Sequence, residues 1–202
     1  MSRAPSVLGW WFCGATMRDG RPVPRDGETL RHDRPVVPCK SGLHASPTIL
    51  DALPYAPGAT LCRVRLSGEI VPHGVDKWAA SERSILWRVE AGPVLRAFAR
   101  WCALRVVSRW NAPAVVVRYL RTGDESIREQ AMAAAYAADA AYVTDYDVDV
   151  VYASAAAIAT RDVAARKAEF RAQAAQLARM VREAKAGRAS WMWPAPRARR
   201  KS

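Results

Sequence analysis

Three side chains in the first half of the chain have the types and placement for chemistry on a polar ligand: His44, Ser46 and Glu82. His44 and Ser46 sit in the stretch Cys39–Gly58, CKSGLHASPTILDALPYAPG, which contains a glycine turn and a Pro-Gly turn. Ser46-Pro47 has the form of an N-cap followed by proline at the first helical position. Ile49, Leu50, Ala52 and Leu53 then give a short helix its apolar face, and orphan N–H groups at its start favour an anion or polar ligand. Glu82 precedes the alternating strand pattern at Ile85, Trp87 and Val89. If a cleft gathers the three, a carboxylate beside a bound ribose would stabilise positive charge developing at its anomeric carbon. The same residues have a structural reading, in which His44 satisfies turn carbonyls, Ser46 only caps and Glu82 pairs with Arg83 or Arg88.

A second constellation is basic. Arg96, Arg100, Arg105 and Arg109 form two pairs four residues apart, so like charges stack on one helical face. Such a seam calls for an acidic partner, in nucleic acid or in the chain's own acidic segments, or else is a solvated face. The C-terminal end interleaves Trp191 and Trp193 with Arg197, Arg199, Arg200 and Lys201, a composition suited to single-stranded nucleic acid through stacking and phosphate contact. Asp145, Asp147 and Asp149 alternate, but without the turn glycine and terminal Glu of a calcium loop. They read as helix caps and dipole compensation, and no metal site is expected.

The charge is unevenly spread. The 202 residues carry a formal net charge of +12. Residues 1–90 hold 12 Lys/Arg and 9 Asp/Glu, residues 91–184 hold 13 and 10, and the last eighteen hold six bases and no acid. Half of the excess is therefore in a short tail, which points to an acidic macromolecule as partner, or to a solubility tail. Cys13, Cys39, Cys62 and Cys102 form no C-x-x-C pair and read as reduced core thiols, which argues against zinc and a secreted disulfide framework. The opening apolar stretch is too short and too rich in Trp for a signal peptide. Asp139 breaks the longest Ala-rich run, so no membrane span is expected and the protein is placed in the cytoplasm, here that of a host cell.

The elements that must position these residues follow from periodicity. Val7–Cys13, a short piece at Thr29–Leu30, Thr60–Val71 and Ser84–Glu90 read as strands. From Pro93 the pattern turns helical, with Leu95, Phe98, Cys102 and Val106 on one face. Pro113 opens a second helix, Thr122 and Glu125 form a capping box, and Ser126–Val143 is Ala-dominated. A terminal helix from about Asp147 to Ala186 carries the stripe Val163, Phe170, Ala174, Leu177 and Val181 and, if continuous, would span about 60 Å at ~1.5 Å per residue. The expected class is α+β: a small mixed, β-rich domain over 1–91, an Ala-rich helical region over 92–187 with a long terminal helix, and a basic tail over 188–202 without regular structure. The long helix also makes a homo-oligomer an expectation.

The residues Cys39, Gly42-Leu-His-Ala-Ser46, Ala52-Leu53, Tyr55, Gly68-Glu-Ile70 and Asp76-Lys77 resemble the pattern of a family of uncharacterised proteins encoded mainly by bacteriophages and prophages. The resemblance extends over most of residues 8–180, including the Ala-rich helical half. It implies a phage or prophage accessory protein that binds a host macromolecule or nucleic acid, with inhibition of host defence as one purpose. A looser similarity is to the ADP-ribosyltransferase-like fold, which implies an NAD-utilising transferase or hydrolase with His44, Ser46 and Glu82 in its cleft; otherwise no cofactor is expected. This sequence has Glu82 alone where that fold carries a Glu-x-Glu pair. A third reading makes the protein a structural element of a phage assembly.

Overall fold

The computed structural model describes residues 5–109, 111–137 and 163–188. The chain divides into two compact units, residues 1–92 and 93–202. The class is α+β: strands come first and helices follow.

The first unit is a five-stranded antiparallel sheet of β1 (Val7–Cys13), β2 (Thr29–Arg31), β3 (Leu43–Ala45), β4 (Thr60–His73) and β5 (Lys77–Glu90). The order is β1-β4-β5, and the far edge of β5 pairs with β2 opposite Glu82–Ser84 and with β3 opposite Trp78–Ala80. Just beyond β3, Ser46 exchanges both backbone hydrogen bonds with Trp10 of β1, at 2.8 and 2.9 Å. That bridge joins the two ends of the sheet into a small ring, so few unpaired edge groups remain. Val64, Leu66 and Ile85 are at most 1% exposed in the core of the ring, each worth about 1.5–3 kcal/mol of burial.

Two glycines permit this curvature. A Cβ on Gly9 would stand 2.8 Å from the Ala45 Cβ, so only glycine lets β1 and β3 approach closely enough to bridge. Gly68 has φ 73° at a bulge in β4, where a side chain would collide with the Ser81 hydroxyl.

The helix after β3 is α1 (Ile49–Ala52), continued by a 3-10 turn, Leu53–Tyr55. Its N-cap is Thr48, not Ser46. The Thr48 hydroxyl accepts from the Asp51 N–H at 3.1 Å and the Asp51 carboxylate accepts from the Thr48 N–H at 3.2 Å. Ser46 is unavailable as a cap because its backbone is committed to Trp10. β5 begins at Lys77, seven residues before the expected strand, because its first part does not alternate: Ala79 and Ala80 are both buried.

The second unit contains α2 (Gly92–Val106), α3 (Ala114–Thr122), α4 (Arg128–Ala137) and α5 (Val163–Lys185). Gly123 ends α3 in the left-handed conformation, and the following 3-10 turn is capped by Asp124, whose carboxylate accepts from Ser126 N–H. Thr122 instead donates to the Arg118 carbonyl, so it is not the cap expected from Thr122 and Glu125. α5 has 23 residues, about 35 Å of helix at ~1.5 Å per residue. The expected start of that helix, residues 147–162, lies outside the described residues. Its buried positions are Glu169, Gln173, Leu177, Met180 and Val181. Phe170 and Ala174 of the expected stripe are only half-buried, because the helix turns Glu169 inward to meet Arg105 of α2.

Candidate functional site

A small cavity of about 30 Å³ opens in the first unit where β1, β3, α1 and the start of β5 meet. Its wall is built from Trp10, Trp11 and Phe12 of β1, His44 and Ala45 of β3, Ser46, Ala52, Tyr55 and Lys77. The sequence folds this way because Gly9 lets β1 approach β3, and the Thr48–Asp51 cap turns the chain at once into α1. Ala52 and Tyr55 are thereby carried back to the wall.

Every polar side chain in the wall can donate. Ser46 is 3% exposed, and its hydroxyl has no hydrogen-bond partner among the described residues. His44 accepts the Cys39 N–H on Nε2 at 3.2 Å, which places the proton of the neutral ring on Nδ1. Burial, and then the charges of Lys77, Arg83, Arg18 and His73, hold the His44 imidazolium well below its ordinary range. Burial works against the Lys77 ammonium, but a hydrogen bond with the Cys39 sulfur and the neighbouring Tyr55 outweigh it and raise its pKa. Lys77 Nζ is 3.2 Å from Cys39 Sγ and 4.2 Å from the centre of the Tyr55 ring. The Tyr55 hydroxyl donates to Asp76 at 2.9 Å, and this bond raises the Tyr55 pKa.

Beneath the wall lies Arg83, 3% exposed. Its guanidinium stands 3.6 Å from the centre of the Trp11 ring and donates to the His44 carbonyl at 2.8 Å. Burial pushes its pKa down to about 10, still charged at neutral pH. No carboxylate pairs with it among the described residues. The site is thus a pocket of donors and positive charge within aromatic walls, which suits an anion.

Glu82 is not in that wall. It lies three residues along β5 from Ala79, the register partner of His44, and so is about 10 Å away along the strand. Its carboxylate accepts from the Ser67 hydroxyl at 2.8 Å and meets Arg31 at 3.4 Å. The structure therefore brings His44 and Ser46 together and leaves Glu82 on a separate cross-strand cluster.

Residues 8–97 match the model of a domain of unknown function (DUF7666). The matched span is 90 of the 202 residues and contains every residue of the cavity wall. No curated protein and no solved structure matches the chain. Cys39, Tyr55, Asp76 and Lys77, four residues that carry the family resemblance in the sequence, meet within this DUF7666-like region. No composition or charge signal marked them as a site, because they come from a hairpin loop, a 3-10 turn and a strand start.

Among the four cysteines, Cys13, Cys62 and Cys102 are buried as expected of core thiols, but Cys39 is exposed. Its φ of 66° puts it in the left-handed region at the tip of the Val37–Ser41 turn.

In the second unit the basic seam is partly used within the chain. Arg105 donates twice to Glu169, at 2.8 and 2.6 Å, and lies over Trp101 at 4.8 Å. The Arg100 guanidinium lies against Gly123. Arg96 is half-buried. The Arg109 side chain, Asp145, Asp147, Asp149 and the tail from Trp191 to Lys201 lie outside the described residues. Among the described residues no group of three His, Cys, Asp or Glu could hold a metal, and no helix is long and apolar enough to cross a membrane.

Proposed function

We propose that the protein works by binding an acidic macromolecule, and that the cavity at His44, Ser46 and Lys77 takes one anionic group of it. The observation that carries this reading is the wall itself, which holds a cation, donor groups and four aromatic residues but no carboxylate. Size supports it too. A volume of about 30 Å³ admits a group of roughly two waters' bulk, such as part of a phosphate or carboxylate, and not a whole dinucleotide.

Single-stranded nucleic acid is the partner this wall suits best. Phosphate would meet Lys77 and the Ser46 hydroxyl, while the aromatic walls offer bases a surface worth about 1–3 kcal/mol each in stacking. Arg63, over the Trp10 ring at 4.5 Å, adds positive charge beside the cavity. The basic tail would supply long-range attraction. This keeps the accessory role that the phage-family resemblance implies, with a host nucleic acid as the target and interference with host defence as an outcome. The NAD-utilising alternative needs a carboxylate at the reacting carbon, whereas Glu82 is held by Ser67 and Arg31.

The test is a fluorescence-anisotropy titration with a labelled single-stranded oligonucleotide. Lys77→Met is expected to weaken binding roughly tenfold, the scale of one charge-assisted contact. Deleting residues 188–202 should flatten the salt dependence. Unchanged affinity in Lys77→Met would remove the cavity from the interface. Binding of an acidic peptide but not of the oligonucleotide would move the partner to an acidic protein.

A further inference from the structure

We propose that Cys39 is a site of thiol–disulfide exchange, with small carboxylate-bearing disulfides as its co-reactants. This goes beyond the anion-binding reading and does not depend on it. Three observations converge on the thiol. Cys39 is exposed, whereas Cys13, Cys62 and Cys102 are 2% exposed or less, so a single thiol of the folded chain meets a reagent in solution. The Lys77 ammonium hydrogen-bonds to its sulfur at 3.2 Å and is itself fixed over the Tyr55 ring. Its backbone N–H is held by His44 Nε2, so the sulfur is presented by an anchored turn. The cavity with the unpartnered Ser46 hydroxyl adjoins it, since His44 and Lys77 belong to both.

The nucleophile in such exchange is the thiolate, and an adjacent cation favours it. Cys39 gives its thiol proton to solvent, and Sγ attacks the nearer sulfur of the disulfide. The Cys39–S bond forms as the reagent's S–S bond breaks, and the departing thiolate takes a proton from water. Cys39 is oxidised to a mixed disulfide and the other half of the reagent is reduced to a thiol. A carboxylate-bearing reagent is selected because Lys77 and the exposed, unpaired Lys40 flank the sulfur.

The test uses the full chain with oxidised glutathione or cystamine, an anionic and a cationic disulfide, and follows adducts by intact and peptide mass. The folded protein should gain one glutathionyl group, on Cys39, about tenfold faster than the same peptide reacts in the urea-unfolded chain. Cys39→Ser should gain none. Lys77→Met, checked as folded by circular dichroism, should fall to the unfolded-chain rate. On the wild type alone, glutathione disulfide should react faster than cystamine. A folded rate no higher than the unfolded one, a Lys77→Met rate equal to wild type, or a faster reaction with cystamine would each overturn the proposal.

Discussion

Arg83 lies with its guanidinium 3.6 Å from the centre of the Trp11 ring, buried and without a paired carboxylate among the described residues. A charge in that position is costly to fold around, and its contacts are only partial compensation: one carbonyl, one thioether and one indole face. A core built for stability alone would be served at least as well by an apolar side chain of similar volume. The positive charge makes sense beside a site that receives an anion.

Arg83→Met is therefore expected to keep the fold, with stability within about 1 kcal/mol of wild type or higher, while weakening oligonucleotide binding. Chemical denaturation and the anisotropy titration read the two effects separately. Loss of folding would mean that the bonds to His44 and Met17 hold the ring of strands together.

Glu82→Gln should do little. The carboxylate's ion-pair partner Arg31 has a side chain 75% exposed, so the pair is worth about 0–1 kcal/mol. Oligonucleotide affinity should be unchanged, because Glu82 is outside the cavity wall. A strong loss of binding or of NAD turnover in this variant would restore Glu82 to the site.

The Arg105–Glu169 pair gives the second unit a pH dependence. The hydrogen bonds from Arg105, opposed by burial and aided by its charge, hold the Glu169 carboxyl below its ordinary value. A depressed carboxyl contributes stability that is complete above its unfolded pKa, about 4.3, and is lost as pH falls through its folded value. Helical stability should therefore drop below about pH 4, a dependence absent in Glu169→Gln. Arg105→Met should cost roughly 2 kcal/mol, less than a fully buried pair because the Arg105 side chain is 38% exposed. Thermal melts from pH 3 to pH 7 check both; an identical pH profile in Glu169→Gln would contradict the assignment.

What the sequence revealed, and what it hid, has physical causes. β1 and most of β4 were legible because their apolar residues alternate, and α2 because Leu95, Phe98, Cys102 and Val106 repeat at helical spacing. The cap after β3 was misread: Ser46 and Thr48 are both good caps, and only the bridge to Trp10, a contact from the far end of the sheet, excludes Ser46. The start of β5 was hidden by adjacent buried alanines. The inner face of α5 was displaced because a buried Glu169 is invisible to a search for apolar periodicity. His44 and Ser46 were found as candidates from their local motif. Lys77, Tyr55 and Cys39 acquire a role only once three distant segments are brought together.

The most direct measurement of the central claim is the titration of the His44 ring, followed by NMR with and without the single-stranded oligonucleotide. The chain has three histidines, His32, His44 and His73, so its signals can be assigned by single substitutions. In the free protein His44 should titrate below about 6.5, the ordinary value, because burial and the cations around it disfavour its charge. A bound anion supplies the missing counter-charge and favours the imidazolium, so the His44 midpoint should move up on binding while those of His32 and His73 hold. A His44 midpoint that stays in place at saturating oligonucleotide would contradict the account, since no anion would then have entered the cavity.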